Sequence, residues 1–443
     1  MIDGVPPGPR MPMTLQTAAM LLRQRPLLER ARRRYGSMFT AHVFGFRNVV
    51  VVSDPDLIKQ TFKAPPDVLH AGTQSPLRRI LGDNSLLAID EDRHLEQRRL
   101  LLPPFKGQRM KAYESLIEEI AAEEIESWPV GVEITMAEPM QRITLRAILR
   151  AVFGASGREL VELEDLMPPW TRLGSQLAQF PVAHRDLGPW SPWGRFLRLR
   201  ARIDAILDRL IDTAREDPAL EERADVLASL VQARHGDGTL MTHAEIRDQL
   251  VTMLAAGHET TAHTLSWAVE RLQRHPEALA RLVAEVDGGE GKAYRDATIR
   301  EVQRTRPVIF FAGRFTRKPF ELGGYRIPPG VLITLSAALT HYDPALFDRP
   351  DVFDPGRFYD KLPETYEWIP FGGGVRRCIG ATFAHMEMDV VLRVLLERVE
   401  LVPSTAPDEP WVFRGVATAP GHGGRVVVRR RARRPAAEVV AAA

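Results

Sequence analysis

Phe371-Gly-Gly-Gly-Val-Arg-Arg-Cys-Ile-Gly380 holds the only cysteine of the 443-residue chain, in a glycine-rich turn with two arginines before the sulfur and an apolar helical pattern after it. A lone cysteine excludes an internal disulfide framework, and it excludes zinc or iron–sulfur centres built from several cysteines of one chain. One thiolate is still enough to hold an axial position of a haem iron. The glycines suit that task, because they adopt backbone angles closed to other residues and bring main-chain N–H groups close to a sulfur. Judged without its neighbours, a single cysteine is more often a small buried hydrophobe.

The neighbours decide. Phe371, Gly374, Arg376, Cys378 and Gly380 satisfy Phe-x-x-Gly-x-Arg-x-Cys-x-Gly, which resembles the haem-binding signature of the cytochrome P-450 family. The resemblance covers nearly the whole chain. It implies a mainly α fold with smaller β-sheets and haem b (iron protoporphyrin IX) between a long central helix and the helix after the cysteine loop. Cys378 would be the metal ligand, with Phe371, Gly372 and Gly380 among the cofactor contacts.

Working outward, the clearest helix begins at Thr242, where Thr242 and Glu245 read as a capping box ahead of Ile246, Leu250, Met253 and Leu254, and Pro276 marks the far end. A helix from Thr242 to about Arg274 is roughly 45–50 Å long. Its middle reads Ala255-Ala256-Gly257-His258-Glu259-Thr260-Thr261, poor choices for helix stability alone. Ala256, Gly257 and Thr260 share one face, so a small pocket edged by a hydroxyl fits there, and an ordinary core helix fits equally well. The Thr260 hydroxyl can also bond to the carbonyl one turn back and open the helix locally. His258-Glu259 and His263 are similar to a zinc-protease motif, but a spacing of five turns the second histidine away. The family resemblance makes this stretch the oxygen-activating motif, with Ala256 and Gly257 beside the cofactor and Glu259 and Thr260 as the catalytic pair that handles protons.

Glu301 and Arg304 stand one turn apart, and with Arg357 of Phe353-Asp354-Pro355-Gly356-Arg357-Phe358 they resemble the family's structural ion-pair triad. Haem carries two propionates and should recruit cations from separate segments. His94, Arg98, Arg314 and Arg376 match family positions for that role. Two departures from the pattern are visible: Gln303 and Thr305 replace apolar residues, and Phe310-Phe311 put bulk in a loop expected to line the substrate cavity.

The length exceeds that of a usual single core, so two domains or one large unit around a cofactor is expected. The resemblance favours one unit, 1–443. It would have a β-rich subregion at about 36–70 joined by strands from 321–338, helical bulk at about 71–310 and 339–428, and a basic tail, 429–443, expected to be disordered. A hairpin is predicted from Phe39 to Phe44 and Val49 to Val52, then a helix from Asp54 or Pro55. Helix dominates from about Arg93 to Glu285, interrupted by the Trp- and Pro-rich stretch Pro168 to Trp193, and a further helix runs from Ala381 to about Glu397.

A formal net charge of +2 implies no general attraction to nucleic acid. The apolar run Leu15 to Leu28 is broken by Arg23, Arg25 and Pro26, so no membrane span or signal-peptide core is expected, and Pro6-Pro7-Gly8-Pro9 argues against a transit helix. Scarce cysteine fits the cytoplasm.

The expected activity is insertion of one oxygen atom of O2 into a lipophilic substrate. No flavin or nicotinamide region follows the cysteine loop, so electrons are expected from an external ferredoxin and its reductase. These would dock on Arg98, Arg99, Lys106, Arg109, Lys111 and Arg377. Substrate walls are expected from Ala71 to Ala88, Trp170 to Trp193 with Phe180, Ala255 with Ala256, Val308 to Phe311, and Val416 to Ala419. A peroxide-driven peroxygenase, a non-catalytic haem sensor and a cysteine-nucleophile hydrolase are the competing readings.

Overall fold

Thr242 caps the helix around which the molecule is built. In the computed structural model, which describes residues 1–105, 107, 109–154, 157–179, 184–289 and 291–431, the Thr242 hydroxyl accepts from Glu245 N at 3.2 Å. The Glu245 carboxylate in turn accepts from Thr242 N at 2.9 Å. Such a cap contributes about 1 kcal/mol, and the helix it opens runs His243–Leu272. From Leu250 onward this central helix is buried except at Ala255, Ala256, Gly257, Glu259, Thr260 and His263. A helix apolar on nearly every face must be enclosed. Ala137–Phe153, Pro192–Glu216, Ala293–Thr305 and Ala381–Arg398 surround it.

Among the described residues the architecture is mainly helical with four small sheets. In the largest, strands Met38–Val43 and Arg47–Val52 form the expected hairpin, and Arg47–Val52 pairs in parallel with Leu332–Ser336. Phe311–Thr316 and Leu69–His70 complete five strands. The sheet therefore draws on residues earlier than 321: Phe311–Thr316 is a strand that the apolar run Val308 to Gly313 concealed. The Pro/Gly lead-in is fastened to this sheet, since Thr40 N donates to Pro7 O at 3.2 Å and the Thr40 hydroxyl to Pro6 O at 2.6 Å.

Two further expectations are corrected. Pro168 does not interrupt helical structure, because one helix spans Arg158–Gln179 through both Pro168 and Pro169. Leu160, Leu163, Leu166, Met167 and Trp170 are buried along it, and tertiary burial outweighs the missing N–H groups. Arg429 and Arg430 end the strand Arg425–Arg430 and so do not belong to a disordered tail. Arg430 donates to Ile125 O at 3.0 Å, and Arg431 donates to Leu396 O at 2.6 Å and to Asp287 at 2.8 Å. Their guanidinium groups cap carbonyls at helix ends. The rest of the basic tail, from 432, lies outside the described residues, as do Lys106, Phe180 and the Arg109 side chain. Among the described residues, no helix is long and apolar enough to cross a membrane.

Candidate active site

The cysteine loop is pressed onto the end of the helix Pro55–Phe62. Gly374 has φ +63°, and a Cβ there would stand 2.1 Å from the Phe62 carbonyl oxygen, so no other residue fits. Cys378 N donates to Phe371 O at 3.0 Å, which closes the loop on itself. Enclosure by protein raises the Cys378 thiol pKa, against the Gly380 N–H, Arg98 and Arg377, which draw it down. The same sulfur residue keeps accessible surface. It thus faces an internal cleft rather than bulk water.

The central helix turns its exposed residues inward at mid-length. Ala256 is accessible in an otherwise buried helix, with Gly257 and Thr260 partly so. A Cβ on Gly257 would crowd Ile148 at 3.1 Å. The Thr260 hydroxyl donates to Ala256 O at 3.0 Å and Thr264 to Thr260 O at 2.9 Å, the back-bonding expected of these residues, and the helix is unbroken through them.

Glu259 leaves this face for the roof. Its carboxylate meets Ser175 and lies near Arg172 and Arg414, yet burial outweighs them and pushes its pKa up to about 7. Sequence reasoning missed these partners, which come from two distant segments. It also missed Glu387, nine residues after Cys378. This side chain is fully buried near the Thr261 hydroxyl, and its oxygens lack a well-formed hydrogen bond among the described residues. Burial drives its pKa well above the carboxylate range, against the nearby Thr261 hydroxyl. A glutamate on the inner face of an apolar helix was the available signal.

Three of the four expected cations gather in one small cleft. His94, Arg314 and Arg376 line it together with Phe62, Leu69 and Val375. Desolvation, then Arg376 and Arg98, lowers His94 to about 3, so its ring is neutral. Burial and Arg376 bring Arg314 down to about 10. Among the described residues Arg314 hydrogen-bonds to the Gly313 carbonyl at 2.8 Å, with its guanidinium 5.4 Å from the Phe62 ring centre. Arg98 is half-buried beside Cys378. Its charge acts on the Cys378 thiol, although it is not among the residues that line the cleft. Arg376 is already paired with Asp90. Buried guanidinium groups without carboxylate partners call for an anion. A cleft of such cations, walled by Val375 and Arg376 of the loop that carries Cys378, fits an iron porphyrin bearing two carboxylates.

Glu301, Arg304 and Arg357 do meet. Arg304 grips Glu301 at 2.7 and 2.8 Å, Arg357 Nε lies 3.7 Å from the same carboxylate, and Glu301 accepts from Asp354 N at 2.9 Å. Arg304 also donates to the carbonyls of His341, Pro350 and Val352. The expected substrate walls are thinner than predicted. Phe310 is buried against Trp411 and Phe413, leaving Phe311 exposed, and Trp170 is a core residue stacked on Phe196. Trp190 is 89% exposed on the outer surface.

The cytochrome P450 family model matches residues 6–422. A Mycobacterium tuberculosis protein named cytochrome P450 138 is 49% identical over 428 residues, covering 96% of this chain and 97% of that one. Cytochrome P450 135B1 of the same species is 43% identical over 433 residues, 96% of this chain and 92% of the relative. In fold, the chain is similar to retinoic acid-bound cyanobacterial CYP120A1, with TM-score 0.85 and 24% identity over 97% of this chain and all of that one. The cytochrome P450DA haem domain gives 0.83 at 24% identity, over 98% and 99% of the two chains.

Proposed function

Because this chain belongs to the cytochrome P450 family and is a haem b-dependent monooxygenase, we propose that Cys378 would hold the haem iron and that a lipophilic substrate would bind beside Ala256. When bound, the haem supplies activation of O2 with two electrons and transfer of one oxygen atom to the substrate.

The protein's own residues handle charge and protons. The Gly380 N–H donates toward the Cys378 sulfur and moderates its charge. Arg98 and Arg314, with neutral His94 as a hydrogen-bond donor, would hold the cofactor's carboxylates. Ala256 and Gly257 leave room for a diatomic ligand, and Thr260 keeps a hydroxyl at its edge. Glu259, with a pKa of about 7, exchanges protons near neutral pH and passes them toward Thr260. The apolar surroundings exclude bulk water.

The lipophilic substrate reading rests on the apolar surface of Ala256, Leu87 and Phe311, and the similar-fold protein bound to retinoic acid is consistent with it. Electrons come from a ferredoxin and its reductase in the cytoplasm, docking around Arg99, Lys111 and Arg377. The observation that carries the proposal is a lone cysteine in a glycine loop whose neighbours Val375 and Arg376 wall a cleft that also holds the buried Arg314, which has no acid partner within salt-bridge distance among the described residues.

The reduced protein exposed to carbon monoxide tests it. A strongly red-shifted Soret band is expected, and it should disappear in Cys378→His, where imidazole replaces thiolate. A band that survives this replacement would overturn Cys378 as the ligand.

A further inference from the structure

Arg376 reaches out of the cysteine loop to a second loop 286 residues away in sequence. Its Nη2 meets Asp90 Oδ1 and donates to Ile89 O at 2.5 Å, and Nη1 donates to Leu86 O at 3.1 Å. On its other side Asp90 accepts from the backbone N–H groups of Ala71 at 2.8 Å, Gly72 at 3.1 Å and Thr73 at 2.7 Å, and from the Thr73 hydroxyl at 2.9 Å. The Asp90 side chain is only 4% exposed. Gly72 lies so close to residues 88–89 that a Cβ would stand 2.5 Å from Ile89 O.

One carboxylate therefore closes both ends of the loop 71–89 and fastens them to the loop that carries Cys378. The middle of the same loop is held by the central helix, where Asn84 N donates to Asp248 at 3.1 Å and Leu86 N to Gln249 at 3.1 Å. Leu87, 40% exposed, lies between these attachments. Leu69, Glu91, Val375 and Arg376, which flank the Asp90 junction in sequence or contact it, line the cleft of His94 and Arg314. Charge-assisted bonds of this kind are about twice as strong as neutral ones.

We propose that Asp90 is a positioning residue for ligand access: by locking loop 71–89 to the cysteine loop through Arg376, it sets how widely that side of the cleft of His94 and Arg314 opens to bulky ligands. The inference rests on the haem reading of that cleft. It makes Arg376 a strut between two loops, a duty additional to any contact with the cofactor.

The test uses the haem-loaded protein and Asp90→Asn, each first checked for the red-shifted carbon monoxide band. Both are then mixed with imidazole, a small iron ligand, and with clotrimazole, a bulky one. Clotrimazole association is expected to accelerate by about tenfold in Asp90→Asn, while the imidazole dissociation constant changes by less than about twofold. Thr73→Val removes one bond to Asp90 and leaves Arg376 untouched, and it should raise the same ratio by a smaller factor. An unchanged ratio in both variants, with the band retained, overturns the proposal and leaves Asp90 a structural residue. Where Asp90→Asn fails to hold haem, the Thr73→Val ratio decides alone. Absence of the band in the unaltered protein would defeat the haem reading itself, a different and recognisable result.

Discussion

Glu301 and Arg304 form a two-pronged ion pair in which neither side chain touches solvent. Removing one member leaves the other charged and buried, which costs about 3–5 kcal/mol. Glu301→Gln should therefore lower the urea midpoint strongly and reduce haem retained on purification. A variant as stable as the parent would show that the carbonyls of His341, Pro350 and Val352 suffice for Arg304.

Gly374→Ala should be more damaging than any other single methyl addition in the cysteine loop. The residue combines positive φ with a Phe62 carbonyl oxygen in the path of the new carbon, and strain of that type costs about 1–3 kcal/mol before the clash is counted. Haem content per folded protein is the readout. Gly380→Ala, where nothing lies within 4 Å of the added carbon, is the control expected to retain its cofactor.

Glu259 links catalysis and stability to pH with opposite benefits. Its folded pKa of about 7 lies above the ordinary 4.5. Its contribution to stability is thus complete below about pH 4.5 and is lost as pH rises through about 7. Glu259→Gln should gain stability over the parent at about pH 8 and little at about pH 5, as read from urea midpoints. In turnover it should lose the pH dependence centred near 7. A stability difference independent of pH would show that the carboxyl is not enclosed.

His258 and His263 act in the other direction. Burial brings both to about 4 from 6.5, with the Leu254 carbonyl holding His258 Nδ1 at 2.6 Å. The folded state binds fewer protons than the unfolded one, so stability is full above about pH 6.5 and falls toward pH 4. His258→Gln should flatten that slope in acid titrations followed by circular dichroism.

Thr260→Ala should leave electron consumption nearly intact and divert it to hydrogen peroxide, with product per electron pair falling by about tenfold to a hundredfold. Unchanged coupling would remove Thr260 from proton delivery and shift attention to Glu387 beneath Thr261.

Residues bound by local rules were readable before the fold was known. The Thr242–Glu245 cap and the Gly374 turn are examples, because short-range sterics and hydrogen bonds specify them. Back-bonding by Thr260 follows from helix geometry alone. The partners of Glu259 were not readable, since Ser175 and Arg414 reach it only through packing of two distant elements. Arg98 carried two expected roles, cofactor cation and docking residue, because its charge alone fits both; its interaction with Cys378 appears only once the chain is folded. Pro168 and Pro169 look like helix breakers locally, yet burial of the face that includes Trp170 overrides them.

The pairing of Val52 with Leu335 also bears on how the protein is made. These strands are roughly 280 residues apart, and at synthesis rates of about 5–20 residues per second the first waits about 15–60 s for its partner to be translated. Throughout that interval the edge of Arg47–Val52, carrying four consecutive valines, is unpaired and open to association with other nascent chains. Abundant chaperones, which cover the edge during that interval, should favour soluble yield more than added haem precursor does.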